Sequence, residues 1–288
     1  MLLGRKGMDQ GAPIFVRIFK EESELEVWKA RADGRFYHFK TYPICNWSGT
    51  LGPKTEYGDR QAPEGFYQVT AEQLNPNSSY YLAFNLGYPN AYDRSQRRTG
   101  SALMVHGKCK SAGCYAMTDA LMEEIYGLAR ESLKAGQSSF YVHAFPFRMT
   151  EANMARFRDN ANYPFWRTLK QGYDFFEQFR MPPAIAVCER RYMVNVTVPR
   201  NVSYSPDGAC PRFHRPVFEP FAPKPYEQQL AAERISVPGP KMRDVATVTP
   251  PQPTLAKRPD ADDFGPMYGL GFSEQQITTG ATPAAASP

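Results

Sequence analysis

No apolar run in this chain approaches the ~18 residues of a membrane-spanning helix, and that rules out an integral membrane segment by this reading. Dense Lys/Arg blocks are also missing. The net charge is +5 with a pI near 8.9, scattered along the chain, which argues against a nucleic-acid partner and suits an anionic polymer. The five cysteines (Cys45, Cys109, Cys114, Cys188 and Cys210) form no CxxC pair and no repeated metal spacing, so a paired-cysteine metal motif is excluded. The odd count is compatible with one free working thiol. Met1-Leu-Leu-Gly-Arg-Lys lacks an apolar h-region, so no secretory signal is visible, and no internal repeat is present.

What is there supports a core. Hydrophobic residues make up 42% of the chain and aromatics 14%, yet 16 of the 26 prolines lie from Pro199 onward. The core must therefore come from the first two-thirds. Ile14 to Lys20, Leu25 to Lys29, Phe36 to Ile44, Phe66 to Thr70, Tyr80 to Leu86 and Ser101 to Val105 read as strands, with Asp33-Gly34 as a tight hairpin turn. From Thr118, apolar Leu121, Met122, Ile125, Leu128, Ala129 and Leu133 follow helical spacing, with Thr118 or Asp119 as the cap. Ser139 to Met149 returns to strand. Thr150 caps a helix from Glu151, the aromatic-rich stretch Phe165 to Phe179 is helical, and Ala184 to Val198 reads as a final strand. The remainder is Pro-rich and irregular, with a short helix expected over Tyr226 to Ile235 and aromatics from Phe213 to Phe221 that can lie along the domain. The fold class is α+β: a lead over 1–13, one β-rich domain over 14–200 with helices packed on it, and an irregular tail over 201–288.

The chemistry concentrates in His106-Gly-Lys-Cys-Lys-Ser-Ala-Gly-Cys-Tyr-Ala-Met-Thr-Asp119. A strand ends at His106, a loop follows, and a helix is expected just past Cys114. A thiol at a helix start sits near partial positive charge that favours the thiolate. A neighbouring imidazole can take the thiol proton and return it to a leaving amine. Gly113 allows a sharp bend that aims main-chain N–H groups at a developing oxyanion. Spacing alone equally allows a buried structural cysteine beside a core histidine.

His106-Gly107 and Ser111-Ala-Gly-Cys114 resemble the histidine-glycine and Ser-x-Gly-Cys elements of the YkuD-type L,D-transpeptidases. The shorter spacing and the continuation Gly-Cys-Tyr-Ala-Met-Thr-Asp are similar to the YafK-like branch. So are Thr41-Tyr-Pro-Ile-Cys45, Ala62-Pro-Glu-Gly-Phe-Tyr67, Leu74-Asn-Pro-Asn-Ser78, Gly87-Tyr-Pro-Asn-Ala-Tyr-Asp93 and Phe145-Pro-Phe-Arg-Met-Thr150. The resemblance spans Ile14 to Val198 and leaves the tail uncovered. It implies a YkuD-like catalytic domain in which Cys114 accepts the acyl group, His106 is the base, the Gly107 carbonyl holds the imidazole tautomer, and N–H groups of Gly113 and Cys114 form the oxyanion hole. Two positions depart from the commoner pattern: Ala112 replaces a second histidine and Ala116 replaces an arginine. Arg148 becomes the candidate for binding a substrate carboxylate, and Tyr88, Asn90, Tyr92, Ser111 and Tyr115 the candidates for lining the groove, against ordinary turn chemistry for the loop containing Tyr88 to Asp93.

The implied substrate is a peptidoglycan stem peptide, with a wall-linked envelope lipoprotein as a further partner and the Gram-negative periplasm as the compartment. The implied activity is a cysteine acyltransferase of cell-wall biogenesis and cell shape. An amidase that releases a wall-linked protein, a non-catalytic wall-binding module and a cysteine peptidase are the alternatives. No cofactor or metal is required. Cys109 reads as a structural thiol, a disulfide partner of Cys45 or half of a redox pair with Cys114. Zinc held by His106, Cys109 and Cys114 lacks a fourth ligand, and His143 is either a packed histidine or a second base.

Overall fold

The computed structural model describes residues 2–199 and 201–222. One helical turn, α1 (Leu2–Arg5), leads to β1 (Ile14–Phe19), β2 (Glu24–Ala30), β3 (Phe36–Pro43), the short β4 (Asn46–Trp47), β5 (Gly65–Thr70), β6 (Leu74–Ser78) and β7 (Tyr81–Asn85). Then come α2 (Ala91–Ser95), β8 (Met104–His106), β9 (Tyr115–Ala116), α3 (Asp119–Lys134) and β10 (Ser139–Phe145). Two helices, α4 (Glu151–Arg156) and α5 (Tyr163–Phe179), and the hairpin β11 (Ile185–Cys188) and β12 (Arg191–Val194) complete the α+β architecture.

The strands form two five-stranded sheets, ordered β3-β2-β1-β10-β5 and β4-β9-β8-β7-β6. Side chains of a strand alternate between faces, and in the first sheet both faces are covered. Ile14, Val16, Ile18, Phe140, Val142 and Ala144 join Phe84, Val105 and Tyr115 of the second sheet and Met122 and Ile125 of α3 in one core cluster. The alternate positions Phe19 and Phe145 pack with Trp166, Leu169 and Tyr173 of α5, and Phe15 with Phe176. This double burial explains why β1 reads as an unbroken apolar run with one charge in it. That charge, Arg17, is only 2% exposed and is held by Glu26 at 2.7 Å and Glu177 at 2.6 Å. A buried guanidinium is tolerated when its donors are paired in this way. Arg17 and Arg148 outweigh the upward push of burial on Glu26 and hold its carboxyl down to about 2.

Two sequence expectations are corrected. Ala184 to Val198 is a hairpin, because the chain turns at Glu189 (φ 47°) and Arg190 (φ 58°), residue types that carry no turn signal. The segment past Cys114 continues as β9, and the helix begins only at Asp119, where the Thr118 hydroxyl accepts the N–H of Leu121. Residues 201–222 lack an extended strand but are tied down by the Cys188–Cys210 disulfide, a bridge between Thr197 and His214, and Phe218 against Phe175 and Phe179. The helix expected over Tyr226 to Ile235, and the rest of the tail beyond 222, lie outside the described residues.

Candidate active site

Strands β8 and β9 run parallel, pairing Val105 with Tyr115 and His106 with Ala116. Paired residues share a face, and Cys114, two positions before Ala116, returns to the face that carries the His106 ring. The Met104 N–H meets Cys114 Sγ at 3.4 Å, which fixes the thiol against β8. Its own proton points to Ala102 O at 3.8 Å. His106 Nδ1 lies 2.7 Å from Gly107 O. A carbonyl only accepts, so Nδ1 carries the proton and Nε2 keeps its lone pair. The ring of Tyr80 covers the imidazole, with centroids 4.7 Å apart.

Parallel neighbours usually need a crossover of a dozen or more residues, whereas residues 107–114 make this connection alone. Several features hold that loop. Lys108 and Cys109 adopt positive φ, Cys109 is bridged to Cys45, and Lys108 N–H donates to Asp119 Oδ1 at 2.7 Å. Gly107 is required by close approach, because a Cβ there would stand 2.5 Å from Asp119 Oδ1 and 3.0 Å from Tyr80 O. Gly113 is required by its φ of +115°, a region that side chains disfavour.

Ser111 donates to Cys114 O at 2.7 Å, so its only proton is in use. Ser48 Oγ, 3.2 Å from Ser111 Oγ, is therefore the donor in that pair. Ser48 in turn accepts the Gly113 N–H at 2.6 Å. This corrects the oxyanion-hole expectation in one respect: the Gly113 donor is engaged. The Cys114 N–H has no acceptor among the described residues.

Burial pushes the Cys114 thiol upward, against the Met104 N–H and the charge of Lys54. Burial also lowers the His106 imidazole, against its bond to Gly107 O. Both causes favour the neutral forms, so thiol and imidazole rest uncharged. The helix-start stabilisation of a thiolate does not apply, because α3 begins five residues past the cysteine.

The other candidates lie elsewhere. Arg148 bonds Glu24 and Glu26 and stacks over Phe19, so two carboxylates already occupy its guanidinium. Tyr88 is 4% exposed and donates to Lys54 O at 3.2 Å. Asn90 caps α2 by accepting the Asp93 N–H and donates to Phe66 O. Tyr92 is stacked on Tyr192 with centroids 4.2 Å apart. Tyr115 faces the core and donates to Pro63 O at 2.6 Å. His143 is fully buried among the rings of Phe15 and Phe66, on a strand of the other sheet. Ser48, Lys54 and Tyr80 are the neighbours that sequence reasoning missed. Ser48 and Lys54 reach the loop from far along the chain, and Tyr80 carries no motif.

Residues 17–143 match the family model YkuD, described as the L,D-transpeptidase catalytic domain. Over 185 residues the chain is 46% identical to the Escherichia coli K12 protein named "Putative L,D-transpeptidase YafK", covering 64% of this chain and 75% of that protein. The O157:H7 counterpart gives the same values. Among solved structures, the helical cell shape determining protein Pgp2 of Campylobacter jejuni, as its K307A mutant, is 20% identical with a TM-score of 0.39. The match covers 62% of this chain and 62% of that one. Bd1075 of Bdellovibrio bacteriovorus is 18% identical with a TM-score of 0.33, over 58% of this chain and 64% of that one.

Proposed function

The chain belongs to the YkuD family of L,D-transpeptidase catalytic domains, and on that premise we propose that it is a cysteine acyltransferase acting on peptidoglycan stem peptides. The observation that carries this reading is a free Cys114 on the same face as a histidine whose tautomer is fixed by its neighbour's carbonyl. The thiol turns from Ala102 O, gives its proton to His106 Nε2, and Sγ bonds to the carbonyl carbon of the third, diamino-acid residue. The oxyanion accepts the Cys114 N–H. As the carbon–nitrogen bond to the terminal D-alanine breaks, His106 returns the proton to the leaving amine. A side-chain amine of another stem then attacks the thioester, with His106 as its base. Water at the same step would make the chain an amidase that frees a wall-linked lipoprotein. Such substrates lie outside the cytoplasm, and two disulfides support an oxidising compartment, the periplasm. Among the described residues no helix is long and apolar enough to cross a membrane.

The test is mass analysis of products from purified muropeptides and from protein-linked sacculi, with the protein and with Cys114→Ala. Cross-linked dimers and free D-alanine, both lost in the variant, are expected. Tripeptide stems freed from protein without dimers would replace transfer by hydrolysis. Full activity of Cys114→Ala would overturn the assignment.

A further inference from the structure

The segment 53–61 lies beside the nucleophile loop, and the reaction described above makes no use of it. Lys54 is 4% exposed; its ammonium bonds Glu56 O at 2.8 Å and pairs with Asp59. The Asp59 carboxylate also accepts the N–H groups of Thr55, Glu56 and Gln61 at 2.9, 3.0 and 3.0 Å. The Gln61 amide turns inward, accepting the Thr50 N–H and donating to Gly52 O. The residues on both sides of Arg60 are thus committed to holding the turn. Arg60 itself is exposed, with φ +53°, and among the described residues no ion pair, side-chain hydrogen bond or ring contact engages it. Its carbonyl carbon would lie 3.8 Å from a Cβ built on Gly113, the residue before the nucleophile. A rigid backbone therefore holds the main chain of Arg60, whose side chain is uncommitted, beside the nucleophile loop.

Other cations are spoken for, apart from the exposed Lys110 of the nucleophile loop. Arg148 serves Glu24 and Glu26, Lys54 serves Asp59, and Lys108 donates to Ser79 O. Ala116 is buried and uncharged. A peptide whose last amide is cleaved carries its terminal carboxylate one residue past the scissile carbonyl, ~3.5 Å of extended chain. An anion so close to the developing oxyanion needs a cation, and the planar guanidinium fork matches a carboxylate with two parallel bonds.

We infer that Arg60 binds the terminal carboxylate of the donor peptide and thereby selects donors that end one residue past the scissile bond. The inference rests on the stem-peptide reading. Because that carboxylate departs with the leaving amine, Arg60 acts on donor capture and acylation and not on resolution of the thioester.

The experiment compares a stem tetrapeptide carrying a free terminal carboxylate with the same peptide as its terminal amide. Binding is measured calorimetrically on the Cys114→Ala background, where no turnover interferes, and D-alanine release is followed on the active chain. Amidation should weaken binding about tenfold when Arg60 is present and have no effect in Arg60→Ala. Arg60→Lys should keep part of the discrimination. Lys110→Ala, which removes the nearby exposed ammonium, should keep all of it. Equal sensitivity to amidation in Arg60→Ala, loss of sensitivity in Lys110→Ala instead, or no binding of either peptide would each overturn the inference. Discrimination through Arg60 without any D-alanine release would sustain it while removing the proposed reaction.

Discussion

Alkylation of Cys114 across pH distinguishes a neutral nucleophile–base pair from a thiolate–imidazolium pair, and the structure commits to the neutral one. Four of the five cysteines are bridged and Cys114 alone is free, so the unreduced protein offers iodoacetamide one thiol. Burial holds that thiol above its ordinary value, and the Met104 N–H and the Lys54 charge offset only part of the shift. With the ordinary thiol value at ~8.5, less than about 3% is thiolate at pH 7. Only the thiolate reacts, so the rate constant should climb about tenfold per pH unit, or about 100-fold from pH 6 to pH 8, before levelling above the ordinary thiol range. An ion pair would instead react at a nearly constant rate over that interval. The assay is intact-protein mass against time at fixed reagent, from pH 5.5 to 9.5, with peptide mapping of the adduct. A plateau reaching below pH 7 would refute the argument that desolvation dominates here. Lys54→Met should move the inflection further upward, since it removes the one charge that favours the thiolate.

Two further expectations concern stability. His143 is buried with both ring nitrogens lacking partners among the described residues, and burial, then the charge of Arg17, holds its imidazole well below the usual value. The unfolded chain therefore binds a proton first, so stability is lost as pH falls below ~6.5, by about 1.4 kcal/mol at pH 5.5. Urea unfolding of His143→Leu should show this contribution missing; identical pH dependence in both proteins would contradict it. A chain ending after Ala222 keeps all the described residues and serves as the reference. Ending the chain after Val202 removes Cys210, whose bridge spans 22 residues, and should cost about 3 kcal/mol of stability; equal melting of the two truncations would show that the 201–222 strap contributes nothing.

The sequence carried the local signals well. β-branched and aromatic runs placed nearly every strand of the first sheet, and Thr118 and Thr150 marked the helix starts they cap. Signals that depend on distant partners were not legible. Nothing near Tyr115 and Ala116 distinguishes a two-residue strand from the first turn of a helix, because pairing with β8 on one side and β4 on the other makes it a strand. Glu189 and Arg190 turn a hairpin without glycine or asparagine, held by the strands on either side. In the candidate site, His106, Cys114 and the Gly107 carbonyl are a sequence-local set, singled out by the family resemblance where spacing alone left a structural cysteine equally open. Ser48 enters from 63 residues before Ser111, and Arg148 looked uncommitted only because Glu24 and Glu26 pair with it across 124 and 122 positions.

The short parallel connection between β8 and β9 has a consequence for how this site can change length. A strand has only two faces, so the position of the thiol is a matter of parity. If one residue is deleted from loop 107–114 and β9 slips one place to compensate, Cys114 turns toward the interior and the bulk of Tyr115 swings out beside His106. A change of two residues restores the cysteine to the correct side. Viable spacings between histidine and cysteine on this scaffold should therefore differ by even steps, unless a bulge absorbs the odd residue.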